Sequence, residues 1–202
     1  GVKKRGGEFV ESDLQRAVDD DEVTTDVVSE VIRYAQDRRH WLFFCAGVKH
    51  AYAMRDSLRS QGVSAETITG STPADERQDI ISKFKSGMIQ ALTNANVLTT
   101  GFDYPDIDLI ALCRPTMSPG LYVQMVGRGM RPKSHADDCM VLDFAEVIQR
   151  HGPITHVVPP SKKSGNGEGE APVKSCPECH EIVHLSVMVC PSCGTQFEAR
   201  KI

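Results

Sequence analysis

At 202 residues, with 40% hydrophobic and 25% charged residues, the chain has room for one ordinary domain plus a smaller module and the balance of a folded protein rather than a disordered one. A formal net charge of −4 argues against a constitutive nucleic-acid coat protein with a basic face, so any nucleic-acid contact is expected in a local groove. Neither an apolar run of about 18 residues nor a signal-peptide core in the opening GVKKRGGEF is present. No membrane span is therefore expected, and the expected compartment is the cytoplasm.

From Thr24 to Arg39 the apolar residues recur at helical spacing, with Thr24 or Thr25 as the expected N-cap. WLFFCA from Trp41 reads as a buried strand, Val48 to Gln61 as a helix closed by Gly62, and AETIT as a short strand. Thr72 is the expected cap of the next helix, whose Ile80, Ile81 and Phe84 form its apolar stripe before Gly87 stops it. MIQALTN and IDLIALC read as strands, SPGLYVQMVGRGM as a helix, CMVLDF as a strand and AEVIQRHG as a helix. Strands that are apolar almost throughout, alternating with helices, imply an α/β fold with a parallel sheet covered on both faces. In such sheets the loops at the strand carboxyl ends are expected to hold the chemistry.

The segment from Gln124 to Pro132, QMVGRGMRP, places Gln124, Arg128 and Arg131 at spacings of 4 and 3, one face of a continuous helix. Guanidinium forks on one face call for a carboxylate or phosphate. Gly127 and Gly129 cost helix stability, which favours a functional reading over a solvated basic turn. Tyr122, Met125 and Met130 sit at helical spacing beside Leu121 and Val126 and read as core. Upstream, VLTTGFDYP carries a Thr99-Thr100-Gly101 turn followed by Asp103, with Tyr104 as a candidate for base stacking.

Of the seven cysteines, Cys45, Cys113 and Cys139 lie in apolar stretches and read as small buried hydrophobes. The other four form Cys176-Pro-Glu-Cys179 and Cys190-Pro-Ser-Cys193, ten residues apart, with a hairpin expected in EIVHLSVMV between them. Two such pairs can converge on one tetrahedral ion, read as a structural zinc because four sulfurs leave no open position; iron and a redox dithiol pair are the alternatives. His180 and His184 are read as bystanders. VVPPSKKSGNGEGEAPVK, rich in proline, glycine and charge, reads as a linker. Its GNGEGE has neither a preceding strand nor a following Lys-Ser/Thr, so it is not a phosphate loop. The expected organisation is a lead-in with one helix at 1–39, the main domain at 40–156, the linker at 157–174 and the cysteine module at 175–202.

The ordered pair, a Gly-Phe-Asp turn, a strand and then a Gln-x-x-Gly-Arg-x-x-Arg segment, resembles motifs V and VI of superfamily 2 helicases. Taken with GGEF, LDFAEVIQRHGPIT and the four-cysteine knuckle, the chain is similar to the RadD-like group of bacterial DNA-repair ATPases in that superfamily. The resemblance implies a RecA-like second motor domain plus a zinc ribbon. It implies that Arg128 and Arg131 reach the γ-phosphate of ATP, held with Mg by the first RecA-like domain of the parent chain. Gln124 would orient phosphate or water, and Gly101 and Asp103 would line the nucleotide cleft.

By the same resemblance Lys49 and His50, Thr69 and Gly70, and Thr99 and Thr100 belong to loops that touch the phosphates of DNA, with RNA left open. Where many relatives carry threonine or aspartate before motif V, this chain reads Asn94-Ala95-Asn96, and Asn94 or Asn96 is the expected substitute. Neither a Walker loop nor an Asp-Glu-x-His or Asp-Glu-Ala-Asp run to hold magnesium occurs in the 202 residues. The expectation is therefore the C-terminal part of a larger ATPase, inactive alone, with a repair protein as a further partner. The competing readings are a restriction-system translocase subunit and a non-catalytic zinc-ribbon module on an inert scaffold.

Overall fold

The computed structural model describes residues 4–5, 8–9, 21–98, 102–157 and 173–197. Thr99, Thr100, Gly101 and most of the expected linker lie outside the described residues. The chain forms two compact units, residues 1–145 and 146–202. The first opens with an antiparallel pair, β1 (Lys4–Arg5) and β2 (Glu8–Phe9), and helix α1 (Asp21–Tyr34). Five strands follow: β3 (Trp41–Cys45), β4 (Ala65–Ile68), β5 (Ala91–Asn94), β6 (Leu109–Cys113) and β7 (Met140–Asp143). They form one parallel sheet in the order β4-β5-β3-β6-β7, connected through α2 (Val48–Ser60), α3 (Ala74–Lys85) and α4 (Pro119–Val126).

The near-continuous apolarity of the strands has its cause in this arrangement: every residue of β3, β5 and β6 is buried. Side chains alternate between the two faces of each strand. Trp41, Phe43, Cys45, Ala91, Leu109 and Ala111 pack in one cluster with Val28 and Val31 of α1 and Ala51, Met54 and Leu58 of α2. Leu42, Phe44, Leu92, Ile110 and Leu112 are buried on the opposite side of the alternation. Burial pushes the Cys45 thiol up to about 12, so it behaves as the small hydrophobe expected.

Several local expectations are corrected. Helix α1 includes Asp21 to Val23, ahead of the expected cap at Thr24 or Thr25, and Thr24 is buried inside it. Thr72 does not cap α3; its hydroxyl accepts the Thr69 N–H at 2.9 Å and Pro73 takes the capping position. Asn94 is fully buried and donates through Nδ2 to the Phe43 carbonyl at 2.8 Å, so it ties β5 to β3 and is no surface contact for nucleic acid. Among the described residues no helix is long and apolar enough to cross a membrane.

In the second unit, α5 (Val147–His151) is followed, after the undescribed stretch, by β8 (Val173–Ser175) and β9 (Ile182–His184), which pair antiparallel. A single bridge joins Val189 to Gln196. The hairpin expected inside EIVHLSVMV is thereby corrected: each Cys-x-x-Cys turn is itself the hairpin turn, so the pairing flanks each knuckle. The Asn94 tie predicts that Asn94→Ala lowers stability by about 1 kcal/mol, read as a lower urea midpoint at unchanged slope. An unchanged midpoint would show that this buried hydrogen bond contributes nothing.

Candidate functional site

Ser118 caps α4 by accepting the Leu121 N–H at 3.2 Å, and Pro119 follows at the first helical position. The helix ends at Val126, and Gly127–Gly129 form a 3-10 turn. Gln124, Arg128 and Arg131 therefore do not share one continuous helical face, as their spacing suggested; the two glycines end the α-helix before Arg128. Tyr122 and Met125 are core as expected, whereas Met130, beyond the turn, is 60% exposed.

The two motifs meet side by side. Arg128 Nη1 donates to the Phe102 carbonyl at 2.5 Å, and Arg131 Nη1 forms an ion pair with Asp103. The Ser134 N–H donates to Asp106 Oδ1 at 2.7 Å, and His135 Nε2 bonds Asp108 Oδ2 at 2.7 Å. In register, 102, 103, 106 and 108 thus face 128, 131, 134 and 135, a ladder of side-chain contacts where no strand pairing exists. Its exposure is uneven. The Arg131 and Asp103 side chains are 49% and 62% exposed, whereas those of His135 and Asp108 are 11% and 0%.

Asp108 is also the acceptor for two backbone amides, Arg39 N–H at 2.7 Å and His40 N–H at 2.8 Å, at the amino end of β3. Around it, His40 packs edge-on against Phe84, Tyr104 and His135, and its Nε2 lies 3.2 Å from the Tyr104 hydroxyl. Tyr104 also donates to the Lys85 carbonyl, so its ring serves the fold and not base stacking. Burial lowers the His40 imidazole below its ordinary value, while the Ser134 amide holds the Asp106 carboxyl below the usual range. The Arg131 hydrogen bond does the same for Asp103.

For the arginine segment, this placement corrects the expectation that the chemistry lines the carboxyl edge of the sheet. The chain must return from the end of β6 to begin β7 in parallel, so the residues after α4 lie on the return path. One residue beyond Asp103, Tyr104 already touches His40 at the amino end of β3. The carboxyl-edge rule holds where a sheet's own loops cradle the ligand; these arginines follow the helix instead.

Among the phosphate-loop candidates, Lys49 and Gly70 are exposed. His50 is buried and its Nδ1 accepts the Ala46 N–H at 3.3 Å, which corrects the expectation of a side-chain contact with nucleic acid. Thr69 is fully buried, its hydroxyl 2.9 Å from Ser71 Oγ. Sequence reasoning missed Asp106, Asp108, Ser134 and His135. The signal was three aspartates in the run DYPDID, but it has no periodicity that would have separated ladder members from solvated charge.

The four cysteine Sγ atoms of the second unit lie within 4.8 Å of one another, with the Cys176–Cys193 and Cys179–Cys190 pairs at 3.6 and 3.5 Å. A tetrahedral zinc with sulfurs at about 2.3 Å has S–S edges of about 3.8 Å, so the sulfur set fits that ion. The knuckles are built alike. Cys176 and Cys190 carbonyls accept from His180 and Gly194 amides, their own amides donate to Glu181 and Thr195 carbonyls, and His180 and Gly194 both have positive φ, 60° and 77°. His184 Nδ1 lies 2.7 Å from Ser186 Oγ, away from any sulfur role.

The glycines of the arginine turn are not equivalent. A Cβ at Gly129 would lie 2.2 Å from Cys139 Sγ and 3.0 Å from Ile110 Cδ1, whereas one at Gly127 would meet nothing within 4 Å. Gly129→Ala should therefore destabilise the first unit by about 2 kcal/mol through overpacking, with Gly127→Ala neutral or slightly stabilising. Thermal melts of the two variants decide this, and equal midpoints would contradict the close packing of the turn on Cys139.

Residues 24–133 match the helicase conserved C-terminal domain family. Over 145 residues the chain is 32% identical to the putative ATP-dependent helicase IRC3 of Saccharomyces cerevisiae, covering 71% of this chain and 21% of that protein. Over 179 residues it is 30% identical to a 51.5 kDa protein of a Lactococcus phage, covering 85% and 39%. The chain thus spans well under half the length of these relatives. Among solved structures it is similar to the E. coli DEAD-box protein SrmB bound to regulator of ribonuclease activity A, with a TM-score of 0.57 at 16% identity over 71% of this chain and 84% of that one, a likeness of fold. Family match and five-stranded parallel sheet together make this chain a member of the helicase conserved C-terminal domain family, with the RecA-like fold of the second domain of superfamily 2 helicases.

Proposed function

We propose that the chain is the C-terminal motor half of an ATP-dependent DNA helicase or translocase, of the RadD-like type that serves DNA repair in the cytoplasm. The observation that carries this reading is the convergence of Arg128 and Arg131 on Phe102–Asp103, with Gln124 exposed on the preceding helix. ATP with Mg, held mostly by the first RecA-like domain of the parent chain, supplies the phosphoryl-transfer chemistry. Arg128 and Arg131 place positive charge where negative charge develops on the transferred group. The Arg131–Asp103 pair is open to solvent, so exchanging the carboxylate for a phosphate costs little. Gln124 orients the attacking water, and Gly101 and Asp103 line the cleft.

On the nucleic-acid side, Lys49, Gly70, Thr69 with its backbone, Thr99 and Thr100 follow the strand's phosphates. Contacts of this kind position a strand without reading its bases, which suits a chain whose charge is not basic overall. In the second unit, Cys176, Cys179, Cys190 and Cys193 hold a structural zinc, and the module they fold docks DNA or a repair protein.

In the full-length protein, Arg128→Ala or Arg131→Ala should lower nucleic-acid-stimulated ATP turnover by about 2 kcal/mol or more of transition-state stabilisation, measured as kcat/KM. Turnover unchanged by both would favour the inert-scaffold reading. For the second unit, one zinc should co-purify per chain, and a chelator or Cys176→Ser should release it and collapse the amide dispersion of residues 173–197. Dispersion that survives metal removal would remove zinc from the account.

A further inference from the structure

Within the proposed motor reading, on which this inference rests, we infer that His135 is a positioning residue for Arg131, acting through the buried carboxylate of Asp108. The segment from Met130 to Cys139 contains no helix or strand, yet it carries Arg131 and must present it in one place. What holds it is side-chain chemistry. Lys133 Nζ bonds the Gly129 and Arg131 carbonyls at 2.5 and 2.9 Å, and Arg38 Nη1 bonds Asp138 Oδ1 at 2.5 Å. The Lys133 bond to the Arg131 carbonyl and the Arg38–Asp138 pair reach solvent. His135 Nε2 lies 2.7 Å from Asp108 Oδ2, an acceptor with no exposure to water, with the Asp106 carboxylate 3.7 Å from His135 Nδ1.

Asp108 is in turn fixed by the two amides at the start of β3, so the rung refers the arginine segment to the central strand of the sheet. His135 lies only four positions after Arg131. A shift of about 1 Å in a group acting on a reacting phosphate costs up to about a hundredfold in rate, so the anchoring has a functional readout distinct from stability. The family match ends at residue 133, so it includes Asp108 but not His135. His135 touches neither nucleotide nor nucleic acid in this account; its effect passes through Arg131.

The test uses full-length protein with both motor domains and four variants: His135→Phe, which keeps a ring beside His40 without a donor, His135→Gln, which keeps a donor without the ring, Arg131→Ala, and the Arg131→Ala/His135→Phe double variant. H135F should lower kcat for ATP hydrolysis about tenfold or more with KM for ATP changed less than about threefold, and H135Q should restore most of the rate. The double variant should turn over no more slowly than R131A, because an anchor has nothing left to position. Multiplicative losses in the double variant, or an H135F rate equal to wild type, would overturn the inference. If R131A itself hydrolyses ATP at the wild-type rate, the motor reading fails first, a result distinguishable from failure of the positioning role alone.

Discussion

A carboxylate with no exposure to water is the constraint on which the site depends. Asp108 stands immediately before β6, and its two oxygens accept from the Arg39 and His40 amides and from His135 Nε2. A charge taken out of water is tolerable only when its lone pairs are satisfied, and removing one partner leaves the full desolvation cost. The three donors come from two separate stretches of chain, the entry to the central strand and the segment after the arginines. Satisfying one carboxylate therefore fixes both to the strand that lies between them in sequence.

From that anchor the carboxylates become more exposed, from 0% at Asp108 through 23% at Asp106 to 62% at Asp103. The most exposed rung, Arg131 with Asp103, is the one a competing phosphate could replace at little cost. Rigid support behind an exchangeable tip is the arrangement that charge stabilisation of a transient species requires. The packing agrees with it. Cys139 fills the space that a side chain at Gly129 would occupy, so the turn bearing Arg128 lies directly on the entry to β7, and burial pushes that thiol up to about 12.

The sheet was legible in the sequence because its strands are buried on both faces and need apolar residues at nearly every position; WLFFC and LIALC could hardly be read otherwise. The Cys-Pro-x-Cys pairs were legible because chelation demands a fixed spacing. The helix through QMVGRGMRP was misjudged because spacing alone cannot report where glycine will end a helix. Asn94 and His50 were misjudged because a polar side chain in a family motif position looks the same whether it serves a ligand or a neighbouring backbone carbonyl or amide. Asp103, Arg128 and Arg131 were singled out, but their pairing and the other ladder members escaped. Aspartates at 103, 106 and 108 meet partners 27 or 28 residues away, and no local period encodes such a pairing.

Amide hydrogen exchange of Arg39 and His40 in the 202-residue chain tests the anchor most directly, because these N–H groups precede β3 and bond to Asp108. The account predicts protection comparable to the ladder amides of β3 and β6, opening only with the unit as a whole. Exchange at the rate of an unprotected loop would show that the Asp108 carboxylate does not hold the start of the strand, and the support beneath the arginines would go with it.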